Sequence, residues 1–422
     1  MFKFIKSHHI LILILLFSLA TRLFRLSIPQ TYYFDEVYHA YTAKAYARND
    51  PRGYEWWNNS DEEGTAFEWL HPPTSKLIMA GSIKIFGENS FAWRLPSAIS
   101  GTLVIFLIYL LTQKLFKNTQ TSLLAATIAS LDGLLLTQSR IAMNDIFLVA
   151  FMLTALIFYL QFVDKKRYKY LIFSGLFVGI SLSTKWSGIF LLPVIGISEG
   201  FRLANKKKPI FSLKYVLLFF SSFVLIPILI YTLSFTQFFL QGHTTQQFAE
   251  LHNQIIRYQF GLDATHTFQS KAWQWPIIGR PVWYHVDYST SNKIGNIYAL
   301  SNPIISWFGL FAFIWFLIQI IIKKKNQTLS HLLLITAYVF VWMPWLLSPR
   351  IMFYYHYTPA IPFLAIFISY LLTSFKKSQR LKYILSFITI TLLIFILFYP
   401  QWTGIPMPKT YQKFIYWIPS WK

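Results

Sequence analysis

Two adjacent carboxylates, Asp35 and Glu36, follow the first hydrophobic segment within the run Thr31-Tyr-Tyr-Phe-Asp-Glu-Val-Tyr-His39. Tyr32, Tyr33, Phe34, Tyr38 and Tyr41 crowd them on both sides. A carboxylate pair at a membrane surface is costly to keep unless it does chemistry or pairs with cations. On a helix, neighbouring side chains point about 100° apart. The two acids can therefore serve different partners, one a reacting group and the other a supporting cation. A merely solvated acidic loop is the simpler reading, and the aromatic flanks argue against it.

Further polar groups punctuate an otherwise apolar chain. His71-Pro72-Pro73-Thr74-Ser75-Lys76 has an entry that cannot be helical before Pro72. His71 and Lys76 there suit an anion, or else form a rigid hinge with a snorkelling lysine. Gln138-Ser-Arg-Ile-Ala-Met-Asn-Asp145 brings Arg140, Asn144 and Asp145 to the membrane boundary, with Asp132 a turn or two earlier. Arg140 suits a phosphate, and Asn144 or Asp145 a hydroxyl or cation; a self-neutralising Arg–Asp pair is the plainer alternative. Lys185 interrupts two apolar stretches, and Arg350 precedes His356 in a further cluster. A lone interfacial cation is often only an anchor. Arg140, Lys185 and Arg350 together, at one level and opposite the acids, suit a phosphate-linked lipid with a reaction just above it. No zinc spacing, P-loop or dinucleotide fingerprint is present.

The elements that must position these groups are membrane helices. The chain has 422 residues, 55% of them hydrophobic, and a mean hydropathy of +0.44. Many apolar runs are long enough to cross about 30 Å of hydrocarbon. The expected fold is an all-α polytopic membrane protein with eleven spans, at about 9–26, 94–116, 121–139, 144–163, 170–183, 186–200, 213–234, 303–322, 330–347, 352–374 and 382–400. Residues 170–200 read either as two spans or as one broken helix. The first run is expected to be retained, because Arg22 and Arg25 follow it where a cleavage site would stand. A net charge of +22 suggests nucleic acid in a soluble protein. Here the cations cluster between apolar runs and act as topology signals instead. With a cytoplasmic N-terminus, 20 of the 38 lysines and arginines fall inside, including Lys3, Lys6, Lys206 to Lys208 and Lys323 to Lys325. Twelve of the 16 acids lie in the outer loops 27–93 and 235–302, where the chemistry is expected. The tail 401–422 is also expected outside. Residues 72–88 suggest a short interfacial helix. The whole chain reads as one integral-membrane domain without internal repeats. There is no cysteine, and so neither a disulfide framework nor a thiolate metal site.

The motifs together resemble the protein O-mannosyltransferase family in its bacterial form, within the large-membrane (GT-C) glycosyltransferases. The matching pieces stand in order. They are Phe34-Asp-Glu36, residues 71–76, residues 138–145 and Thr184-Lys-Trp-Ser-Gly188. Residues 264–276 with Arg280-Pro-Val-Trp-Tyr284, Ser301-Asn-Pro303, residues 353–362 and Tyr399-Pro-Gln-Trp-Thr-Gly404 complete the set. Ser75 stands where the family usually has glycine. The second outer loop is too short to hold the MIR domain of eukaryotic members.

The resemblance implies a polyprenyl-phosphate-mannose donor and a Ser or Thr hydroxyl on an exported protein, with inversion at the anomeric carbon. A serine hydroxyl needs a carboxylate to take its proton, and that role is assigned to Asp35, with Glu36 positioning the acceptor or pairing with a cation. Arg140, Lys185, Arg350, His71 and Lys76 are expected at the donor phosphate. Asn144, Asp145, Tyr355, His356, His266 and Trp275 are expected at sugar and acceptor. Partners are the bilayer, the exported proteins and the secretion translocon, with no nucleic acid, at the cell membrane. No cofactor or divalent metal is expected, since a departing monophosphate met by cations needs none. A divalent ion shared by Asp35 and Asp145 is the alternative. The nearest rival is a GT-C transferase acting on a lipid or cell-wall glycan. A transporter or flippase expects paired repeats and mid-membrane charges instead.

Overall fold

A computed structural model describes residues 2–205, 212–321 and 328–422. The cation clusters at Lys206 to Lys208 and Lys323 to Lys325 lie outside the described residues. The membrane layer begins with α1 (Phe2–Leu23). The first long segment between membrane helices then carries α2 (Glu36–Ala47) and α3 (Thr74–Phe86). Next come α4 (Ser90–Phe116), α5 (Thr119–Ser130), α6 (Gly133–Gln138), α7 (Asp145–Lys165), α8 (Tyr168–Leu182) and α9 (Leu191–Ala204). Segments α10 (Leu213–Phe220) and α11 (Ile226–Ser234) form one rod through a π-helical turn. The second long segment between membrane helices holds α12 (Thr236–Leu240), α13 (Thr245–Gly261) and strands β1 (Val282–Asp287) and β2 (Lys293–Ala299). Helices α14 (Pro303–Ile321), α15 (Leu329–Trp342), α16 (Ile361–Ser374) and α17 (Lys377–Thr403) return to the membrane, before the short β3 (Met407–Pro408).

Among the described residues, eight helices are long and apolar enough to cross a membrane. The expectation was eleven. Stretches His8–Leu23 and Tyr168–Leu182 are apolar but shorter. The expected span 121–139 is two helices, because Asp132 ends one and caps the next: its Oδ1 accepts the Leu135 N–H at 2.9 Å. Residues 170–200 are likewise two helices. The extended backbone of Lys185 separates them, followed by a 3-10 turn at Trp186–Phe190. Helix α8 packs on α7 and α11, whereas α9 packs on α15. Helices α7 and α16 are enclosed by the others, while α10–α11 and α17 present mostly apolar outer faces. That contrast is the one expected of a bundle in lipid, where only interior faces need specific packing.

The interfacial helix expected at 72–88 is α3, entered through Pro72 and Pro73. The second long segment departs from an all-helical reading. Its β-branched and aromatic run, Val-Trp-Tyr-His-Val, pairs antiparallel with β2 across a turn at Asn292, where φ is +58°. Strand β3 adds to β2 through Met407 and Ile294. The two long segments meet: Gln237 Nε2 donates to Tyr46 O at 2.9 Å, and His243 Nε2 lies 2.9 Å from Glu55 Oε1. The tail folds onto the same surface, with Trp421 Nε1 donating to Ile278 O at 2.7 Å.

Candidate active site

Asp35 and Glu36 begin α2, and their side chains part company. Phe34, at φ +50°, precedes Asp35, which stands at the helix start and makes no capping hydrogen bond with its side chain. Glu36 turns inward and is fully buried. Arg94 on α4 grips it at two points, Nε to Oε1 and Nη2 to Oε2, each 2.7 Å. The backbone N–H groups of Ala142 and Tyr33 also donate to it, at 3.0 and 3.3 Å. Every lone pair of Glu36 thus faces a donor, which is what a buried carboxylate requires. Asp35 has no such clamp. It lines a cavity of about 340 Å³. Burial pushes its pKa from 3.8 up to about 7. Asp145 and Glu68 push the same way, against the Lys185 ammonium and the Tyr355 hydroxyl.

Across the cavity, the Lys185 ammonium lies 2.8 Å from Asp145 Oδ1 and 5.5 Å from the centroid of the Tyr355 ring. The break between α8 and α9 puts it there. Gly188 makes the turn possible, since a Cβ would come within 2.6 Å of Leu182 N. Asn144 and Asp145 enter the wall at the start of α7, and the Ser75 hydroxyl donates to Asn144 Oδ1. Tyr355 and His356 complete that side, with His356 between Trp345 and the buried Trp275. Arg350 reaches the cavity from the turn after α15 and donates to Gln259 Oε1 at the end of α13. Ile189, Phe190, Phe260 and Leu347 add apolar side chains to the cavity's lining. Phe260 and Leu347 are 71% and 88% exposed, so hydrocarbon side chains edge the opening.

Of the expected residues, Asp35, His71, Asn144, Asp145, Lys185, Arg350, Tyr355 and His356 line this one cavity. Five others stand elsewhere. Glu36 is locked to Arg94. Arg140 bonds to the carbonyls that end α1, those of Thr21, Arg22 and Phe24 at 3.3, 2.6 and 2.7 Å, so it ties off a helix terminus rather than facing a phosphate. Lys76 is fully buried and bonds to Glu68 and the carbonyl of His71. Trp275 lies behind His356, its Nε1 donating to Ser270 Oγ at 3.0 Å. His266 packs on Phe353 outside the cavity. The alternative of a self-neutralising Arg140–Asp145 pair is not what forms, because Lys185 takes the aspartate.

Sequence reasoning missed two residues. His39 lines the cavity one helical turn after Asp35, and the i, i+4 spacing on α2 is the signal that exposes it. Burial lowers its pKa to about 3 and keeps it neutral, with Nδ1 3.7 Å from Glu68 Oε2. Glu68 is the buried hub behind the wall. Burial opposes its ionisation, but Lys76, His71 and His39 outweigh burial and hold its carboxyl well below the usual range. Its Oε1 lies 2.7 Å from His71 Nδ1, which sets His71 with Nδ1 protonated. The spacing Glu68-x-x-His71 carried that signal. Among the described residues no three His, Asp or Glu side chains are placed to hold a metal ion together.

Comparison with known proteins bears on the fold and the family. The chain is similar to a polyprenol-phosphate-mannose–protein mannosyltransferase of Corynebacterium glutamicum, at 24% identity over 84% of this chain and 81% of that protein. It is similar to one of Mycolicibacterium smegmatis at 22% identity over 95% and 90%. Its fold matches a chain of the Saccharomyces cerevisiae protein O-mannosyltransferase Pmt1-Pmt2 complex bound to the sugar donor. The TM-score is 0.83 at 14% identity, over 99% of this chain and 93% of that one. A weaker match, TM-score 0.59 at 13% identity over 92% and 63%, is ArnT of Cupriavidus metallidurans bound to undecaprenyl phosphate. These neighbours make the fold that of the GT-C glycosyltransferases. The model of the dolichyl-phosphate-mannose-protein mannosyltransferase family matches residues 12–241, and that of the C-terminal four-helix region of protein O-mannosyltransferases matches residues 244–421. The chain therefore belongs to the dolichyl-phosphate-mannose-protein mannosyltransferase family.

Proposed function

We propose that this protein transfers mannose from a polyprenyl-phosphate-mannose donor to Ser or Thr hydroxyls of exported proteins, on the outer face of the cell membrane. The observation that carries the reading is one opposition. Asp35, with a pKa near 7, and the Lys185 ammonium face a single cavity that is also lined by Ile189, Phe190, Phe260 and Leu347. These apolar side chains suit the prenyl chain. Lys185, with Arg350, suits the phosphate, whose negative charge grows as the glycosidic bond breaks. Asp35 takes the hydroxyl proton as the acceptor oxygen attacks the anomeric carbon from the opposite face, which inverts it. A serine hydroxyl is a poor nucleophile, and a base poised near the working pH is the most effective kind. Glu36 acts at one remove, by fixing the start of α2 through Arg94. The Lys185 ammonium beside Asp145 places positive charge where a divalent ion would otherwise stand, so the reaction is proposed to run without a metal. The N-terminus is placed in the cytoplasm, and the secretion translocon is a natural source of unfolded acceptor.

The test is transfer of mannose from synthetic polyprenyl-phosphate-mannose to a Ser/Thr-rich peptide by purified wild type and Asp35→Asn, each with and without EDTA. Transfer by wild type, lost in Asp35→Asn and indifferent to EDTA, supports the reading. Donor turnover onto a lipid or glycan, with none onto peptide, moves it to a different transferase of the same fold. Loss of activity with EDTA, restored by a divalent ion, overturns the metal-free step alone.

A further inference from the structure

A second groove, of about 690 Å³, opens beside the cavity. It lies between residues 264–274 of the second long segment and the connection 345–352. The Ser270 N–H joins these two walls by donating to Met352 O at 2.9 Å. Trp345, Ser348, Pro349 and Arg350 belong to both the groove and the cavity, so the two spaces share a wall. Their chemistry differs. The cavity lining includes the hydrocarbon side chains of Ile189, Phe190, Phe260 and Leu347. The groove offers the side-chain amides and hydroxyl of Gln269, Gln274 and Thr265, and a Trp273 ring that is 56% exposed. A prenyl chain gains nothing from amides, whereas an extended polypeptide can bond to them and rest on an indole. The charged residues lining the groove are Arg350, in the shared wall, and Lys271, which belongs to the groove alone; no carboxylate lines it.

We propose that this groove seats the acceptor polypeptide beside the residue to be modified, and that Lys271 makes the enzyme favour acidic residues flanking that Ser or Thr. The inference rests on the reading of the site as a protein glycosyltransferase, and it adds which acceptors are chosen. The acceptor hydroxyl projects past Arg350 to Asp35 while the flanking residues lie along 264–274. Charge at such a rim tunes choice of partner more than total affinity.

Three peptides, identical except for Asp, Ala or Lys on both sides of a single Thr, test this with wild-type enzyme and synthetic polyprenyl-phosphate-mannose. The Asp-flanked peptide is expected to exceed the Lys-flanked one in kcat/KM by about fivefold, the scale of one exposed charge pair. The difference should reside in the acceptor KM and shrink at high salt. In Lys271→Glu the order is expected to invert, and in Trp273→Ala the KM should rise for all three peptides. Equal kcat/KM for the three peptides with wild type overturns the proposal and leaves protein mannosylation standing. A change in donor KM rather than acceptor KM in Lys271→Glu assigns the groove to the lipid phosphate and also overturns it. Transfer to none of the peptides, with donor turnover onto a lipid or glycan, removes the underlying reading and the proposal with it.

Discussion

Glu36 meets Arg94 through two 2.7 Å contacts inside the protein, while Asp35, the next residue along, faces the cavity without a cationic clamp. One peptide unit thus separates a carboxylate that holds structure from one free to take a proton. Helix geometry causes the division, since successive side chains diverge by about 100°. Removing either partner of the buried pair leaves the other charge uncompensated. Glu36→Gln and Arg94→Ala are each expected to destabilise the protein by about 3–5 kcal/mol. Thermal unfolding in detergent checks this, and an unchanged midpoint in both variants would contradict the structural role.

With Asp35 as the proposed base, this residue is expected to set the pH dependence. It is a base only when ionised, so with a pKa of about 7 the transfer rate should rise through pH 7 and level off above it. Asp35→Asn is expected to lower kcat by about 10²–10⁴-fold, the usual span for a lost general base. Stability follows the opposite sense. The folded pKa lies above the unfolded value, so the folded state binds this proton more tightly. The resulting stabilisation is complete below about pH 4 and is lost as pH rises through about 7. Asp35→Asn should therefore unfold at a higher temperature than wild type at pH 8, with the gap closing at pH 5.

Lys185→Met removes one of the cavity's cations and strands Asp145. Loss of one preorganised charge at a developing anion typically costs about 10²–10³ in kcat. Lys185→Arg should recover part of it. Recovery of Lys185→Met by the second change Asp145→Asn would instead assign the lysine to charge neutralisation alone.

Arg140→Ala separates fold from chemistry. Its donors end on the carbonyls of Thr21, Arg22 and Phe24. The variant is expected to lose about 1–3 kcal/mol of stability, from the carbonyls left without partners. The surviving folded fraction should bind donor with wild-type KM. A raised donor KM with normal stability would return Arg140 to the phosphate.

The absence of cysteine makes topology directly testable. Exposed Ser289 lies in the second long loop, and exposed Asn205 follows α9 beside the basic cluster. Ser289→Cys should react with a membrane-impermeant maleimide on intact cells, and Asn205→Cys only after the membrane is opened. The reverse pattern inverts the orientation.

The sequence alone pointed to a multi-pass membrane protein with polar loops. Hydrophobic length and the placement of acids are local properties that survive without three-dimensional knowledge. It also singled out Asp35, because an unexplained carboxylate among aromatics is visible in one dimension. The order of short motifs pointed to the family. What the sequence left open were pairings. Asp145 has Arg140 five residues before it and Lys185 forty residues after it, and nothing local says that the distant lysine wins. Lys76 and Arg140 look like free cations until folding shows their donors ending on Glu68 and on the last carbonyls of α1. The hairpin at 282–299 was hidden because its strands are short and draw their stability from β3 and the tail. Glu68 was one acid among nine in its loop, and only packing buried it. The tertiary structure decided which charges are spent within the protein and which face the cavity, because buried charges must find partners wherever folding places them.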